Sequence, residues 1–149
     1  ELLNIYESKY SLNRQIFFHG FVNDVDSYLS TMADVLVLPT YAETFPMAAR
    51  EGLSHGLAMI GTNVYGLREM VDDGRNGYLI EPPISVWDGV LPSQNFYDMK
   101  NFKKNIEKTD TTLFERQLEN AILELATNPE FRLAARQASL RILKERFTC

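Results

Sequence analysis

Cysteine is almost missing from this chain: there is one, Cys149, and it is the last residue. No internal disulfide can form, and no thiolate-based metal site can be built. One cysteine fits a reducing compartment, so the expected location is cytoplasmic. Histidine is scarce too, with only His19 and His55. No apolar run approaches the ~18 residues of a membrane span. An excess of positive charge is also lacking, since 15 Lys and Arg face 20 Asp and Glu for a net charge of −5. Nucleic acid is therefore not an expected partner, because phosphate backbones attract basic surfaces. A small anionic ligand stays open, since one helix N-terminus can hold it locally. There is no internal repeat and no low-complexity segment.

What is present is ordinary for a globular domain. The 149 residues are 45% hydrophobic and 23% charged, enough for one domain with a sizeable core. Residue 1 is Glu, and Glu1 to Tyr10 reads as helix interior with no basic-then-apolar signal segment. The expectation is a piece of something longer.

Gln15 to Phe18 is a short apolar run before Gly20 and reads as a buried strand. Val25, Leu29 and Met32 have helical spacing behind a capping Asp24. Val35 to Leu38 has no polar alternation, which suits a strand covered on both faces. Pro39 ends it. A loop over 40–44 leads to a helix from about Phe45 to His55, with Pro46 in its first turn and Gly56 closing it. Ala58 to Gly61 is a third strand, Leu67 to Val71 a short helix entered through Gly66, and Tyr78 to Ile80 a fourth strand. Asp73-Gly74 and Asn76-Gly77 are turn dipeptides. Four strands alternating with helices predict an α/β domain with a parallel sheet.

Residues 84–110 break this rhythm. The stretch holds the only Trp, Trp87, with Phe96, Tyr97 and Phe102. It is too aromatic for a disordered linker and reads as an ordered excursion packed on the domain. Two helices follow, Thr112 to Ala126 and a second with Pro129 in its first turn running to about Phe147.

The informative stretch is Pro39 to Gly77. In a doubly wound sheet, ligands bind outside the carboxyl ends of the strands. The loop after Leu38 lies at such an end and enters a helix whose first N–H groups are unpaired. A pyrophosphate can dock there, on backbone donors of Phe45, Met47 and Ala48, since Pro46 has none. Glu43 lies in the loop. Glu51 lies in the helix, about 9 Å further along at 1.5 Å per residue. Ionised carboxylates only accept hydrogen bonds. Each therefore suits a sugar hydroxyl, and a nucleotide-sugar carries one sugar at each end of its diphosphate.

Glu43, seven residues and Glu51 resemble the E-x7-E signature of retaining GT-B glycosyltransferases, the glycogen-synthase-like and lipopolysaccharide-mannosyltransferase-like family. The likeness continues in Ile16-Phe-Phe-His-Gly-Phe-Val22, Asp34-Val-Leu-Val-Leu-Pro39, Glu43-Thr-Phe-Pro46 and Glu51-Gly-Leu-Ser-His-Gly56. It ends with Gly66-Leu-Arg-Glu69-Met-Val71 and Asp73-Gly-Arg-Asn-Gly77. It is close over 16–81 and loose in the closing helices. The ordered set is specific, whereas E-x7-E alone is not.

The resemblance implies a Rossmann-like C-terminal half of a GT-B fold without its first strands. It comprises one nucleotide-sugar-binding domain over 1–149, with the excursion at 84–110 and closing helices over 111–149. It implies that Glu43 is catalytic and hydrogen-bonds the transferred sugar, and that Glu51 holds the ribose. Backbone near Phe45, Pro46 and Met47 would bind sugar or diphosphate. Gly20, Phe21 and Val22 would border the base, and Gly66 would bring backbone near the ligand. The implied reaction moves a sugar from a nucleotide-diphosphate donor to a hydroxyl acceptor with retention, in polysaccharide or lipid-linked glycan synthesis. No metal and no cofactor beyond the donor are implied. The sugar, lipid-linked or glycan acceptor would sit on an N-terminal domain. The family's phosphate-binding Arg and Lys precede the residue-16 strand and fall outside this chain, so the piece is expected to be inactive alone. Gly52 for Ala, Thr44 for Gly and the long excursion are the departures.

Plainer readings stand beside these. Glu43 can be an acid near a helix N-terminus, and Glu51 a solvated helix residue beside His55. His19 and His55 read as structural, and Glu69 as an acid capping a short helix. Arg132, Arg136, Arg141, Lys144 and Arg146 on the last helix read as a solvated face, with peripheral membrane contact as the lesser reading. Phe131, Ala135, Ala138 and Ile142 should face the core. A nucleotide-sugar epimerase of the same fold and a non-catalytic sugar-nucleotide-binding or interaction module are the alternatives.

Overall fold

The computed structural model of the chain describes residues 16–41, 43–88, 91–93 and 98–148. The helix read over Glu1 to Tyr10, and Gln15, Phe96, Tyr97 and Cys149, lie outside the described residues. The elements in order are α1 (Val25–Met32), β1 (Val35–Leu38), α2 (Met47–Ser54), β2 (Ala58–Thr62), α3 (Leu67–Met70), β3 (Gly77–Ile80), the pair β4 (Trp87–Asp88) and β5 (Leu91–Pro92), α4 (Met99–Lys108), α5 (Thr112–Thr127) and α6 (Pro129–Arg146).

Strands β1, β2 and β3 form a parallel sheet in that order. Val35 pairs with Ala58 and Leu38 with Gly61, while Met59 pairs with Gly77 and Thr62 with Ile80. All five residues of β2 are buried, as expected of a central parallel strand with helices on both faces. One core cluster holds Ala49, Leu53, Met59, Leu67, Met70 and Ile142, joining α2, α3 and α6 to one face. The other holds Ala58, Ile60, Ile80, Phe114, Ala121 and Leu125 and packs α5 on the opposite face. The protein is thus an α/β domain with a parallel sheet and flanking helices.

Two expectations are corrected. Ile16 to Phe18 is not a strand, and all three residues are exposed, Phe17 to 70%. A strand needs a neighbour for its N–H and C=O groups, and no other strand among the described residues flanks this run. The run has the apolar pattern of a strand, but pattern alone supplies no partner. The parallel sheet accordingly has three strands among the described residues rather than four. Helix α2 starts at Met47, with Pro46 as its N-cap, rather than at Phe45.

The local signals otherwise operate as read. The Asp24 carboxylate accepts from the Ser27 N–H at 2.9 Å and starts α1. Asn128 accepts from the Phe131 N–H at 3.0 Å, and Pro129 opens α6. Gly56, at φ +61°, closes α2 in the left-handed region that glycine adopts without strain. In the 84–110 stretch, Val86 and Phe102 are buried in the same cluster as α2 and α3. Helix α4 is capped by Asp98, which accepts from the Asn101 N–H at 3.1 Å.

The basic residues of α6 are not simply a solvated face. Arg132 donates to the Leu125 carbonyl at 2.6 Å, and Arg136 donates to the Gly56 carbonyl at 2.9 Å and pairs with Asp34. Arg146 grips Asp72 through two 2.8 Å bonds and also donates to the Glu69 carbonyl. These three side chains tie α6 to α5, to the end of α2 and to the α3 region. Ala135, Ala138 and Ile142 are buried as expected, and the Phe131 ring packs on Tyr78 at 5.6 Å. Among the described residues, no helix is long and apolar enough to cross a membrane.

Candidate functional site

Because the three strands run parallel, the segments leaving them at Pro39, Asn63 and Glu81 all emerge at one end of the sheet. That carboxyl end is where ligands of open α/β sheets bind. Glu43 sits half-buried in the β1–α2 connection. Beyond it, Phe45 and Met47 are exposed and Pro46 is buried. The Pro46 carbonyl accepts the Ala49 and Arg50 N–H groups at 3.0 and 3.2 Å, closing the first turn of α2. The N–H groups of Met47 and Ala48 precede any intrahelical acceptor and are the donors this helix end offers. Glu51 is half-buried on α2 and borders a small groove of about 140 Å³ with Arg50, Ser54, Leu143 and Thr148.

Gly66 joins the second connection to the first. A Cβ there would run into the Thr44 carbonyl oxygen and come within 3.3 Å of Phe45 Cα. Backbone therefore meets backbone between the β2–α3 turn and the loop carrying Glu43. The Phe45 ring also meets Phe147 edge-on at 6.0 Å, so the end of α6 reaches the start of α2. At the third connection, the Asn63 N–H donates to the Ile80 carbonyl at 2.7 Å and the Asn63 side-chain amide donates to Glu81.

Gly20, Phe21 and Val22 lie just before α1. Gly20 adopts φ +63°, and Phe21 is 91% exposed. The segment's described ring contacts run toward α1, through His19 on Tyr28 at 5.1 Å. The exposed His19 ring thus rests against α1. His55 has Nε2 3.0 Å from an Asp26 carboxylate oxygen and Nδ1 3.1 Å from Ser30 Oγ, linking α2 to α1. The Glu69 side chain is exposed. A larger groove, about 430 Å³, runs between β3 and α5 past Asp73, Tyr78, Gln117 and Glu124, and shares no residue with the Glu43 region. Among the described residues, no three His, Cys, Asp or Glu side chains cluster as a metal site would need.

Two features escaped sequence reasoning. Tyr65 holds φ +32°, a left-handed conformation rare for an aromatic residue. Nothing in its identity signals this; Gly66 beside it is the only hint of a tight turn. Asn76 reads as a turn residue, yet it is fully buried. Its amide donates to the Met70 carbonyl at 3.0 Å and to Ser139 Oγ at 3.2 Å, and its oxygen accepts the Asp72 N–H at 2.7 Å. Ser139 donates in turn to the Leu57 carbonyl at 2.6 Å. Beside this knot, the Arg146 guanidinium, helped by Arg75, holds the Asp72 carboxyl below the usual carboxylate range despite partial burial.

The parallel sheet, the helices on both faces and the loops gathered at the carboxyl end define a Rossmann-like domain of the GT-B glycosyltransferase type. The C-terminal domain of a group 1 glycosyl transferase from Francisella tularensis has the same fold, with a TM-score of 0.68 at 20% identity over 99% of this chain and 61% of that one. An Anabaena protein solved with UDP-glucose matches at TM-score 0.69 and 19% identity over 98% of this chain and 32% of that one. The chain belongs to the family of glycosyl transferases group 1, whose profile matches residues 5–111. It is 34% identical over 103 residues to an uncharacterized glycosyltransferase of Methanocaldococcus jannaschii, covering 64% of this chain and 26% of that protein. A D-inositol 3-phosphate glycosyltransferase of Paenarthrobacter aurescens is 41% identical over 49 residues, 33% of this chain and 12% of that one. The chain thus spans no more than about a quarter of the length of these curated relatives.

Proposed function

We propose that this chain is the donor-binding part of a retaining glycosyltransferase. Glu43 hydrogen-bonds the transferred sugar and Glu51 the ribose hydroxyls. The N–H groups at the start of α2 and the backbone of Phe45 to Met47 bind the diphosphate or sugar, with the N–H groups donating to its oxygens. Gly66 lets backbone approach the ligand, and Gly20 to Val22 border the base. The observation that carries the reading is the contact of Gly66 with Thr44 and Phe45. It puts two connections of the family's motif side by side at the carboxyl end of the sheet, next to Glu43. The UDP-glucose held by the Anabaena neighbour agrees with a nucleotide-sugar donor.

In the proposed reaction, the bond between the sugar's anomeric carbon and the diphosphate oxygen breaks. The acceptor oxygen bonds that carbon on the same face, and its proton passes to the departing phosphate. The diphosphate's charge is met by helix dipole and N–H groups here, and by basic side chains on a preceding part of the half. No metal is required. Acceptor binding and closure of the cleft belong to a separate domain. The location is cytoplasmic, where nucleotide-sugars serve as donors, and peripheral membrane contact would bring a lipid-linked acceptor within reach.

Saturation-transfer NMR with a panel of nucleotides and nucleotide-sugars tests this, with Glu51→Ala and Glu43→Gln alongside. The expected result is signal from one nucleotide-sugar. Its ribose contacts should vanish in Glu51→Ala and its sugar contacts in Glu43→Gln. Equal signal from the wild type and both variants would defeat the assignment of the two carboxylates.

A further inference from the structure

The β2–α3 turn, Asn63 to Gly66, is fixed from both sides. Val64 is fully buried, and Gly66 lies against the Thr44 and Phe45 backbone. Tyr65 stands between them at φ +32°. Glycine would adopt that conformation without strain, so a tyrosine there has to be held by contacts its side chain makes. Those contacts come from the first strand of the β4–β5 hairpin and the residue before it. The Tyr65 hydroxyl donates to the Val86 carbonyl at 3.2 Å, and its ring lies on Trp87 with centroids 4.8 Å apart. Val86 is anchored in the core, and its carbonyl also accepts the Ser93 N–H at 2.9 Å. The Trp87 indole N–H reaches the Asn63 carbonyl at 3.5 Å, and the Arg68 guanidinium lies 5.4 Å from the Trp87 ring centroid. Trp87 is therefore held against the turn from three directions.

These contacts form an unbroken series: Val86 and Trp87 on the hairpin, then Tyr65, Gly66, and Thr44 and Phe45 next to Glu43. We propose that Tyr65, clamped by Val86 and Trp87, is a positioning residue that holds the Glu43-bearing loop in its binding geometry. The excursion after β3 thus serves the donor site without touching the donor. This rests on the reading of Glu43 as the sugar-binding carboxylate. The ordering of the loop by the hairpin, however, is a physical claim that can be tested without any ligand.

The test is hydrogen exchange on the ligand-free protein, read at the Ala49 and Arg50 amides, whose bonds to the Pro46 carbonyl close the loop onto α2. In Trp87→Ala these two amides should exchange about tenfold faster, while the Ile60 amide of β2 changes by less than about twofold. Tyr65→Phe keeps the ring but loses the bond to Val86 and should give a smaller increase. Trp87→Phe should restore most of the protection. Unchanged exchange at Ala49 and Arg50 in both Trp87→Ala and Tyr65→Phe would overturn the proposal, and so would an equal rise at Ile60, which would mean general destabilisation. A second arm compares affinity for UDP-glucose with affinity for UDP. The preference for the sugar-bearing ligand should fall in Trp87→Ala as it does in Glu43→Gln, with UDP affinity held within about twofold. If wild type and Glu43→Gln show the same preference, the Glu43 reading fails while the exchange result still decides the loop coupling.

Discussion

Asn76→Ala should be among the most destabilising single changes in the chain. The wild-type side chain is fully buried and makes three hydrogen bonds: to the Met70 carbonyl, to Ser139 Oγ and from the Asp72 N–H. Each net bond is worth about 1 kcal/mol, and a buried group left unpaired costs about 1–3 kcal/mol more. Ser139 would keep its bond to Leu57, but the Met70 carbonyl would lose this partner. The expected loss is about 3–5 kcal/mol, a large share of the roughly 5–15 kcal/mol that holds a domain together. With a urea slope of about 2 kcal/mol/M, the midpoint should fall by about 2 M. Urea unfolding followed by Trp87 fluorescence and by circular dichroism gives the number. Ser139→Ala should cost about 1–2 kcal/mol, and the double variant should lose less than the sum, since the two share a bond. A loss below about 1 kcal/mol for Asn76→Ala, with coincident transitions, would refute the claim that this network ties the β3 turn to α6.

Gly66→Ala forces a Cβ into the Thr44 carbonyl. It should cost about 1–3 kcal/mol by overpacking, read in the same unfolding assay, and should weaken donor binding more than its stability loss explains. Asp72 titrates below the ordinary carboxylate value of about 4 because Arg146 and Arg75 bind its ionised form. A carboxyl whose folded pKa is depressed stabilises above its unfolded pKa, and that gain disappears as pH falls through the folded one. Stability of the wild type should therefore drop more steeply below pH about 4 than that of Asp72→Asn, which thermal melts across the acid range would show. Arg136→Ala removes the bond to the Gly56 carbonyl and the pairing with Asp34. The Arg136 and Asp34 side chains are partly exposed but Gly56 is buried and its carbonyl loses this partner, so the cost should be about 1–2 kcal/mol by chemical denaturation.

Much of the domain was legible in the residues because the signals were local. A run such as Val35 to Leu38, a capping Asp24 or Asn128, and Gly56 at a helix end act within a turn or a strand of themselves. The ordered motif from Glu43 to Gly77 was legible as a resemblance to a known family, although the structure puts its Asp73 to Gly77 part at the amino end of β3, away from the carboxyl end where the Glu43 loop emerges. Ile16 to Phe18 had the pattern of a strand and no partner among the described residues, because pairing is a relation between segments and not a property of one. Nothing local marks Tyr65 as left-handed, since its strain is carried by contacts to Val86 and Trp87, about twenty residues on. Asn76 looked like a turn residue until Ser139, on the last helix, came to meet it. Arg132, Arg136 and Arg146 looked solvated because charge along one helix says nothing about the carbonyls and carboxylates that other elements present to it. The sequence by itself thus determined the elements from α1 to β3, the two closing helices, the parallel sheet type and the two carboxylates that bracket the start of α2. Only the tertiary structure decided which connections touch, because close backbone approach and buried polar bonding depend on segments distant along the chain.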